Sequence, residues 1–342
     1  MDSIRRPGFF FFAIALIVIA GFRPVGLDLD SELFVEHLDD TFNEISLLSK
    51  EPTFWLIQQL NLYTFKGYHS SFFLAYALIA ITIKFYSISK LSIAPLFSAF
   101  AYFSYFYILQ DLTQFRSGVA IGLVFWSLLD IVNRNRNAFL AKIIIASLFH
   151  YSAALLFFIY ALSPTLKKRT LVFYATLPIA GSYFYLSDFF VSLLPSISQL
   201  IGGPIAYKTS IYYDLYLSGE MESADPVSIG ILFLLSIYYL TLFLVFRRRY
   251  CLEGETSQYH AKVIVVSVKM MGFGFLFLFS FYFIEAFSYR LLQYLFFPLV
   301  LILPFLVRSL KPRLIGAALI TAFLFYSFIK TASATLDFSV LG

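Results

Sequence analysis

Three arginines lie at the ends of apolar segments. Arg23 ends the first such segment, and Arg116 and Arg290 each open a later one. A guanidinium offers a planar fork of donors that binds a phosphate through paired hydrogen bonds, and the first turn of a helix adds free N–H groups and a favourable dipole at Arg116. These arginines predict a phosphate or diphosphate site. Snorkelling to the membrane boundary is the alternative, as are ion pairs of Arg116 with Asp111 and of Arg290 with Glu285.

His150 is the best candidate for a general base. It separates two apolar stretches, and an ionisable imidazole in such a setting is a functional hypothesis by default. A hydrogen-bonded packing histidine is the alternative. His69 is a weaker base candidate at the start of the second apolar segment. Glu51 precedes Pro52, and we interpret it first as the cap of a helix that begins there and second as a base.

The other polar residues predict no metal site. The four histidines are scattered, and the acidic residues of 28–40 are typical of a solvated face more often than of a cation site. Cys251 is the only cysteine, which excludes an intrachain disulfide. Tyr212 and Tyr213 suit stacking on sugar rings, although tyrosine is also common at membrane interfaces. Lys269 lies inside an apolar segment and keeps a transport function open.

The composition indicates a polytopic membrane protein. The chain is 60% hydrophobic and only 13% charged, whereas soluble domains carry about 25% charged residues. Of the 25 Lys and Arg, seventeen, including Lys84, fall on one side of the apolar segments and eight fall elsewhere. Because basic residues mark the cytoplasmic face, the N-terminus is predicted to be cytoplasmic. The scatter of these charges through short loops argues against a nucleic-acid partner.

The apolar segments predict an all-α protein with about eleven transmembrane helices. They cover 8–26, 68–89, 91–110, 115–132, 137–149, 151–164, 170–190, 227–246, 261–284, 289–307 and 313–331. Two longer segments, 27–67 and 191–226, are predicted to be structured and extracytoplasmic. Residues 1–342 are interpreted as a single transmembrane domain.

The pair of apolar segments within 137–164 predicts a short helical hairpin. Each half is too short to cross about 30 Å of hydrocarbon. One long span would place both Lys167 and Arg248 at the outer face, whereas their positive charge favours the cytoplasmic face. The hairpin is therefore expected to start at the inner face and to turn at His150, below the outer surface.

The arrangement of these residues resembles the EpsG family of bacterial membrane polysaccharide polymerases, which are Wzy-like. The resemblance rests on Gly21-Phe-Arg23 with Asp28, Glu51-Pro-Thr-Phe-Trp, Arg116-Ser-Gly-Val-Ala, Leu148-Phe-His150-Tyr-Ser-Ala and Ser288-Tyr-Arg290. It implies a GT-C-like glycosyltransferase in the bacterial cytoplasmic membrane with its active site facing outward. The implied substrate is an oligosaccharide repeat unit on undecaprenyl diphosphate, which serves as the leaving group.

The resemblance also distributes roles among the candidate residues. Arg116 and Arg290 would bind the diphosphate with support from Arg23, and His150 would activate a sugar hydroxyl. No cofactor is expected, because arginines replace the metal. A lipid-linked glycan ligase and a transporter or flippase of the same lipid are the alternatives. Partners would be the bilayer and, in the same pathway, a chain-length regulator and a flippase. The polymer would be an O-antigen, a capsule or another exopolysaccharide.

Overall fold

The computed structural model describes residues 2–28, 30–36, 38, 50–193, 196, 211, 213–220, 223–248 and 255–341. Within these ranges the regular elements are helices, and the only β pairing is an isolated bridge between Asp28 and Leu336. The predicted all-α fold class is therefore confirmed. Two compact units divide the chain, one formed by Met1–Ser163 with Val300–Gly342 and one by Pro164–Leu299. The single-domain interpretation stays a prediction.

The helices follow the apolar segments closely. In chain order they are α1 (Asp2–Gly21), α2 (Ser31–Glu36), α3 (Pro52–Phe65), α4 (His69–Leu91), α5 (Pro95–Tyr102), a π-helix (Phe103–Thr113), α6 (Phe115–Trp126), α7 (Leu128–Asn133), α8 (Arg136–Phe149), a 3₁₀-helix (Tyr151–Ala161), α9 (Lys168–Leu186), α10 (Ile229–Arg248), α11 (Glu255–Ser280), α12 (Glu285–Phe296), α13 (Leu299–Ser309), α14 (Arg313–Thr335) and a final 3₁₀ turn (Phe338–Leu341).

Fewer helices than predicted are long and apolar enough to cross a membrane. Five described segments meet that requirement, namely His69–Leu91, Phe115–Asn133, Ile229–Arg247, Gln258–Ser280 and Arg313–Thr335. A sixth is added if Phe287–Phe296 and Leu299–Ser309, bent by 49°, form one broken span. The chain is thus a multi-pass membrane protein, and the count of eleven stays a prediction. The difference arises because several apolar segments form short or broken helices.

Helix α4 lies at the centre of the first unit, between α1 and α6. Its Phe72, Phe73 and Tyr76 are buried around the ring of Phe115, at the start of α6, with ring centroids 4.7–5.9 Å apart. Edge-to-face aromatic pairs of this kind add stability beyond the area that they bury. This cluster holds the N-terminal end of α6 in place, and Arg116 belongs to that end.

The predicted hairpin at 137–164 is present. Helix α8 ends at Phe149, His150 is extended (φ −157°, ψ 117°), and the 3₁₀-helix runs back beside α8. At the far end the Tyr160 hydroxyl donates to the Arg134 carbonyl at 3.0 Å, and the Tyr160 and Phe139 rings are 5.1 Å apart. The 14-residue and 11-residue halves are about 21 and 22 Å long. Both are therefore too short to cross the hydrocarbon upright.

The segment after α1 is paired with the C-terminal end of the chain. The Asp337 N–H donates to the Leu27 carbonyl at 2.9 Å, next to the bridge between Asp28 and Leu336. The end of α14 therefore lies at the same end of the unit as the end of α1.

The predicted outer helices are partly described. Helix α3 begins at Pro52 as expected and ends at Phe65, and the next residue, Lys66, has a left-handed backbone (φ 54°). In the preceding segment α2 buries Phe34, and the Gln58 amide donates to the Leu38 carbonyl at 2.6 Å. Residues 39–49 lie outside the described ranges. In the segment 191–226, Tyr212 also lies outside them, whereas Tyr216 contacts the Tyr282 hydroxyl at 2.9 Å.

The first unit contains a buried ion pair between Lys84 and Asp111, and the predictions for both residues were wrong. Lys84 donates to both carboxylate oxygens of Asp111 at 2.8 and 2.7 Å, and the Tyr102 hydroxyl donates to the same carboxylate at 2.6 Å. Both charged side chains are fully buried. Lys84 is therefore not one of the cytoplasmic charges, and Asp111 is the partner of Lys84 rather than of Arg116.

Candidate functional site

Glu51 joins Arg116 and His150 into one cluster in the first unit. One Glu51 oxygen accepts from Arg116 Nη1 at 2.5 Å, and the other contacts His150 Nδ1 at 2.6 Å. These partners are 65 and 99 residues away along the chain. The Glu51 side chain is 4% exposed, that of Arg116 21% and that of His150 13%. The cluster is thus shielded but still reachable through Arg116 and His150.

Glu51 lies at the predicted cap position, but both of its carboxylate oxygens bind other partners. Glu51 occupies the N-cap position of α3, with Pro52 as the first helical residue, but its side chain makes no capping hydrogen bond. Proline lacks a backbone N–H, so the start of α3 needs fewer capping acceptors. Both carboxylate oxygens are consequently available for Arg116 and His150.

The carboxylate of Glu51 is held in its ionised form. Burial is the largest single influence and raises its pKa, but the contacts with His150 and Arg116 and a backbone hydrogen bond together outweigh it. The pKa of Glu51 therefore lies below its ordinary value. An ionised carboxylate only accepts hydrogen bonds, so the proton in the contact with His150 belongs to Nδ1.

This bond determines which ring nitrogen of His150 can act as a base. With the Nδ1–H group donating to Glu51, the neutral ring carries its lone pair on Nε2. Nε2 is buried and has no hydrogen-bonding partner among the described residues. A buried polar atom without a partner calls for an explanation.

Arg116 is positioned by a break between two helices. The π-helix ends at Thr113, Gln114 leaves the helical conformation (φ −93°, ψ 47°), and α6 begins at Phe115. The guanidinium carbon of Arg116 lies 5.0 Å from the centroid of the Phe34 ring. Glu51 accepts from one of the five N–H donors of Arg116, so the fork retains donors for an anion at the N-terminus of α6.

Gly118 allows the π-helix to approach α6 closely. A Cβ at Gly118 would meet the Gln110 carbonyl oxygen well inside van der Waals contact, whereas one at Gly122 would lie 3.4 Å from the Ala80 oxygen. We expect Gly118→Ala to destabilise the protein by about 1–3 kcal/mol, the usual cost of overpacking, and to shift Arg116. Thermal unfolding in detergent measures this, with Gly122→Ala as the matched control. Equal unfolding temperatures for the two variants would contradict it.

Thr53 links the helix that follows Glu51 to the helix that precedes His150. Its hydroxyl donates to the Leu148 carbonyl at 2.7 Å, one of the last carbonyls of α8. We expect Thr53→Val to destabilise the protein by about 0.5–1.5 kcal/mol, the usual net contribution of one hydrogen bond. Thr53→Ser keeps the donor and should restore the wild-type stability. Thermal unfolding of both variants in detergent decides, and equal losses would show that the hydroxyl does not matter.

Arg23 forms a packed ion pair in the same unit. Its Nε donates to Asp28 at 2.8 Å, its Nη1 donates to the Ala20 carbonyl at 2.6 Å, and its guanidinium lies 4.0 Å from the Phe73 ring centroid. Nη2 is buried without a partner among the described residues. These contacts are those of an internal ion pair, and the supporting role of Arg23 in diphosphate binding stays a prediction.

Of the remaining site candidates, His69 lies in the first unit and Glu285, Arg290 and Tyr213 lie in the second. His69 opens α4, and its ring lies 5.0 Å from that of Tyr68. Arg290 is exposed on α12 in the second unit, where Glu285 is the first residue of the same helix. Tyr213 is half-buried in that unit. Their proposed roles stay predictions.

Lys269 has an internal partner in the second unit. Its Nζ donates to the Thr165 carbonyl at 2.7 Å and lies 4.9 Å from the centroid of the Tyr174 ring. The same unit holds a contact between Asp188 and the Tyr282 hydroxyl. Among the described residues, no group of three or more His, Cys, Asp or Glu side chains has the spacing to hold a metal ion.

The sequence profile of the EpsG family matches residues 8–340, nearly the whole chain. Neither a curated protein nor a solved structure shows significant similarity to this chain. The matched region includes Glu51, Arg116 and His150, which the fold brings together. The chain therefore belongs to the EpsG family, which is implicated in exopolysaccharide biosynthesis.

Proposed function

We propose that this chain is a glycosyltransferase that polymerises oligosaccharide repeat units carried on undecaprenyl diphosphate at the outer leaflet of the bacterial cytoplasmic membrane. The observation that carries the proposal is the Glu51 bridge, which places an arginine and a histidine beside one carboxylate. Polymerisation needs a cation for the leaving diphosphate and a base for the attacking hydroxyl. Membership in the EpsG family supports the same chemistry.

Arg116 serves the leaving group in this proposal. When the bond between the anomeric carbon and the diphosphate oxygen breaks, negative charge develops on that oxygen. A guanidinium that is already fixed by Glu51 and by packing against Phe34 stabilises the charge without reorganising. The N-terminus of α6 adds its dipole.

His150 serves the nucleophile. Its Nε2 takes the proton of the acceptor sugar hydroxyl as the oxygen attacks the anomeric carbon of the donor. The imidazolium that forms is stabilised by the ionised Glu51 at Nδ1, in the way that a carboxylate supports the histidine of a hydrolase triad. After transfer, the proton passes to the released diphosphate or to water, which returns His150 to its neutral form.

Purified protein with lipid-linked repeat units tests the proposal. The wild type should form new glycosidic bonds, with or without EDTA, because arginines rather than a metal are proposed to hold the diphosphate. Arg116→Ala should lower kcat/KM by about 10²–10³-fold, as for removal of one stabilising donor at a developing oxyanion. Arg116→Lys should recover part of the rate, because lysine keeps the charge but lacks the fork.

Arg313→Ala is the matched control, since Arg313 is an exposed residue at the start of α14. It should retain the wild-type rate. Transfer to a different acceptor but not to a second repeat unit would identify a glycan ligase. Movement of the lipid-linked substrate across the membrane without bond formation would identify a transporter or flippase.

A further inference from the structure

An apolar surface borders the Glu51 cluster on two sides. Along α8, exposed side chains form one stripe that contains Ile144, Ile145 and Leu148, and Leu148 lies two residues before His150. Along α3, Leu56 and Leu60 are exposed one turn apart, and Leu56 lies five residues after Glu51. The exposed fractions are 41% for Leu148 and 59% for Leu56.

The orientation of α3 is unusual for a helix outside the predicted spans. Its protein-facing side buries Phe54 and Trp55 together with Gln58 and Asn61, and its exposed side nevertheless carries Leu56 and Leu60. A helix in contact with water alone would carry mainly polar side chains on its exposed side. An exposed apolar side is typical of a helix that lies against lipid.

The two helices form one surface because they are tied together. The Thr53 hydroxyl donates to the Leu148 carbonyl, and α3 packs on α8. Leu56 lies about one turn after Thr53, so its side of α3 continues the stripe of α8. The apolar surface therefore begins where Glu51, Arg116 and His150 meet.

From this placement we infer that the surface formed by Leu56, Leu60, Ile144, Ile145 and Leu148 binds the isoprenoid chain of the lipid-linked substrate. The inference rests on the proposed function. A lipid diphosphate has a charged head and an apolar chain joined end to end. Arg116 with the N-terminus of α6 matches the head, and the stripe that starts at Leu148 matches the chain.

The length of the hairpin determines how deep in the membrane the substrate head would lie. Helix α8 is about 21 Å long, shorter than the hydrocarbon thickness of about 30 Å. With α8 starting at the inner face, as the charge pattern predicts, the tip at His150 lies below the outer membrane surface. The chain of the substrate then runs along α8 within the bilayer while its head stays at the tip.

Photocrosslinking tests the chain contact without requiring turnover. A photoactivatable residue at Leu148 or Leu56 should crosslink to an isoprenyl diphosphate in detergent micelles, and excess unlabelled isoprenyl diphosphate should compete. The same residue at Leu319, which is 60% exposed on α14, is the control and should give no competed crosslink. Competition by phospholipid that equals competition by isoprenyl diphosphate would mean that the surface is an ordinary lipid contact and would overturn the inference.

Kinetics of Leu56→Ser/Leu148→Ser then separate chain binding from chemistry. With a long-chain substrate the KM should rise about 10-fold or more, since burial of a leucine side chain is worth about 1.5–3 kcal/mol. With the same oligosaccharide on a short, water-soluble isoprenyl diphosphate, kcat/KM should match the wild type. Leu319→Ser should leave the kinetic constants for both substrates unchanged.

The outcomes distinguish this inference from the proposed function. Equal losses for the long-chain and short-chain substrates would show that the two leucines support the fold, and the inference would fall. An unchanged KM for the long-chain substrate would also refute it. If the wild type forms no glycosidic bond but the competed crosslink persists, the proposed function fails and the chain-binding surface stands.

Discussion

Replacement of Glu51 by Gln should lower the rate of polymer formation by about 10⁴-fold. The substitution removes one charge and leaves the shape of the side chain. An amide at this position can present its NH₂ group to His150 Nδ1, which favours the tautomer whose proton is on Nε2. The same exchange behind the histidine of a serine protease costs about 10⁴-fold for that reason. Here the loss is compounded because Arg116 also loses the carboxylate that holds it.

Single-turnover kinetics on the purified variant measure this loss, and Asp130→Asn is the matched control. Asp130 pairs with Lys142 at 2.5 Å in a contact of the same length that involves no residue of the Glu51 cluster. The control should retain the wild-type rate. Glu51→Gln/His150→Gln should be hardly slower than Glu51→Gln alone, because residues that act as a unit are not additive. A rate for Glu51→Gln within a factor of a few of wild type would remove Glu51 from the mechanism.

Replacement of His150 by Gln should lower kcat by about 10²–10⁴-fold, the usual contribution of a positioned base. Substrate binding should change little, because Arg116 and the helix N-terminus, the proposed diphosphate site, remain. Glutamine keeps a polar group of similar reach, so the variant tests loss of the base rather than loss of packing. Binding of lipid-linked substrate and single-turnover rates, measured on the same preparation, separate the two effects.

His69→Gln is the control for a histidine outside the cluster and should behave as the wild type. Near-full turnover by His150→Gln would mean that His150 is structural and that its contact with Glu51 only joins α3 to the hairpin. In that case His69 would be the next base to test. Weak substrate binding together with a normal rate at saturation would instead place His150 in substrate recognition.

Much of the fold was predictable because it depends on properties of consecutive residues. The apolar segments located the helix ends to within six residues, and the shortness of each half of 137–164 predicted the hairpin and its turn at His150. Their lengths also limited the prediction, because length alone did not show that 91–110 forms α5 and a π-helix. Arg116 and His150 were identified because a charged or ionisable side chain in an apolar context is costly unless it has a function.

Only the tertiary packing determined which of these side chains are in contact. Glu51 was interpreted first as a helix cap, and its contacts with Arg116 and His150 join residues 65 and 99 positions away. Asp111 was considered as a partner for Arg116, yet it pairs with Lys84 inside the unit. Sequence determines which side chains are polar and how long each helix is. The partner of a buried charge depends on which helices pack together, and that is a property of the whole fold.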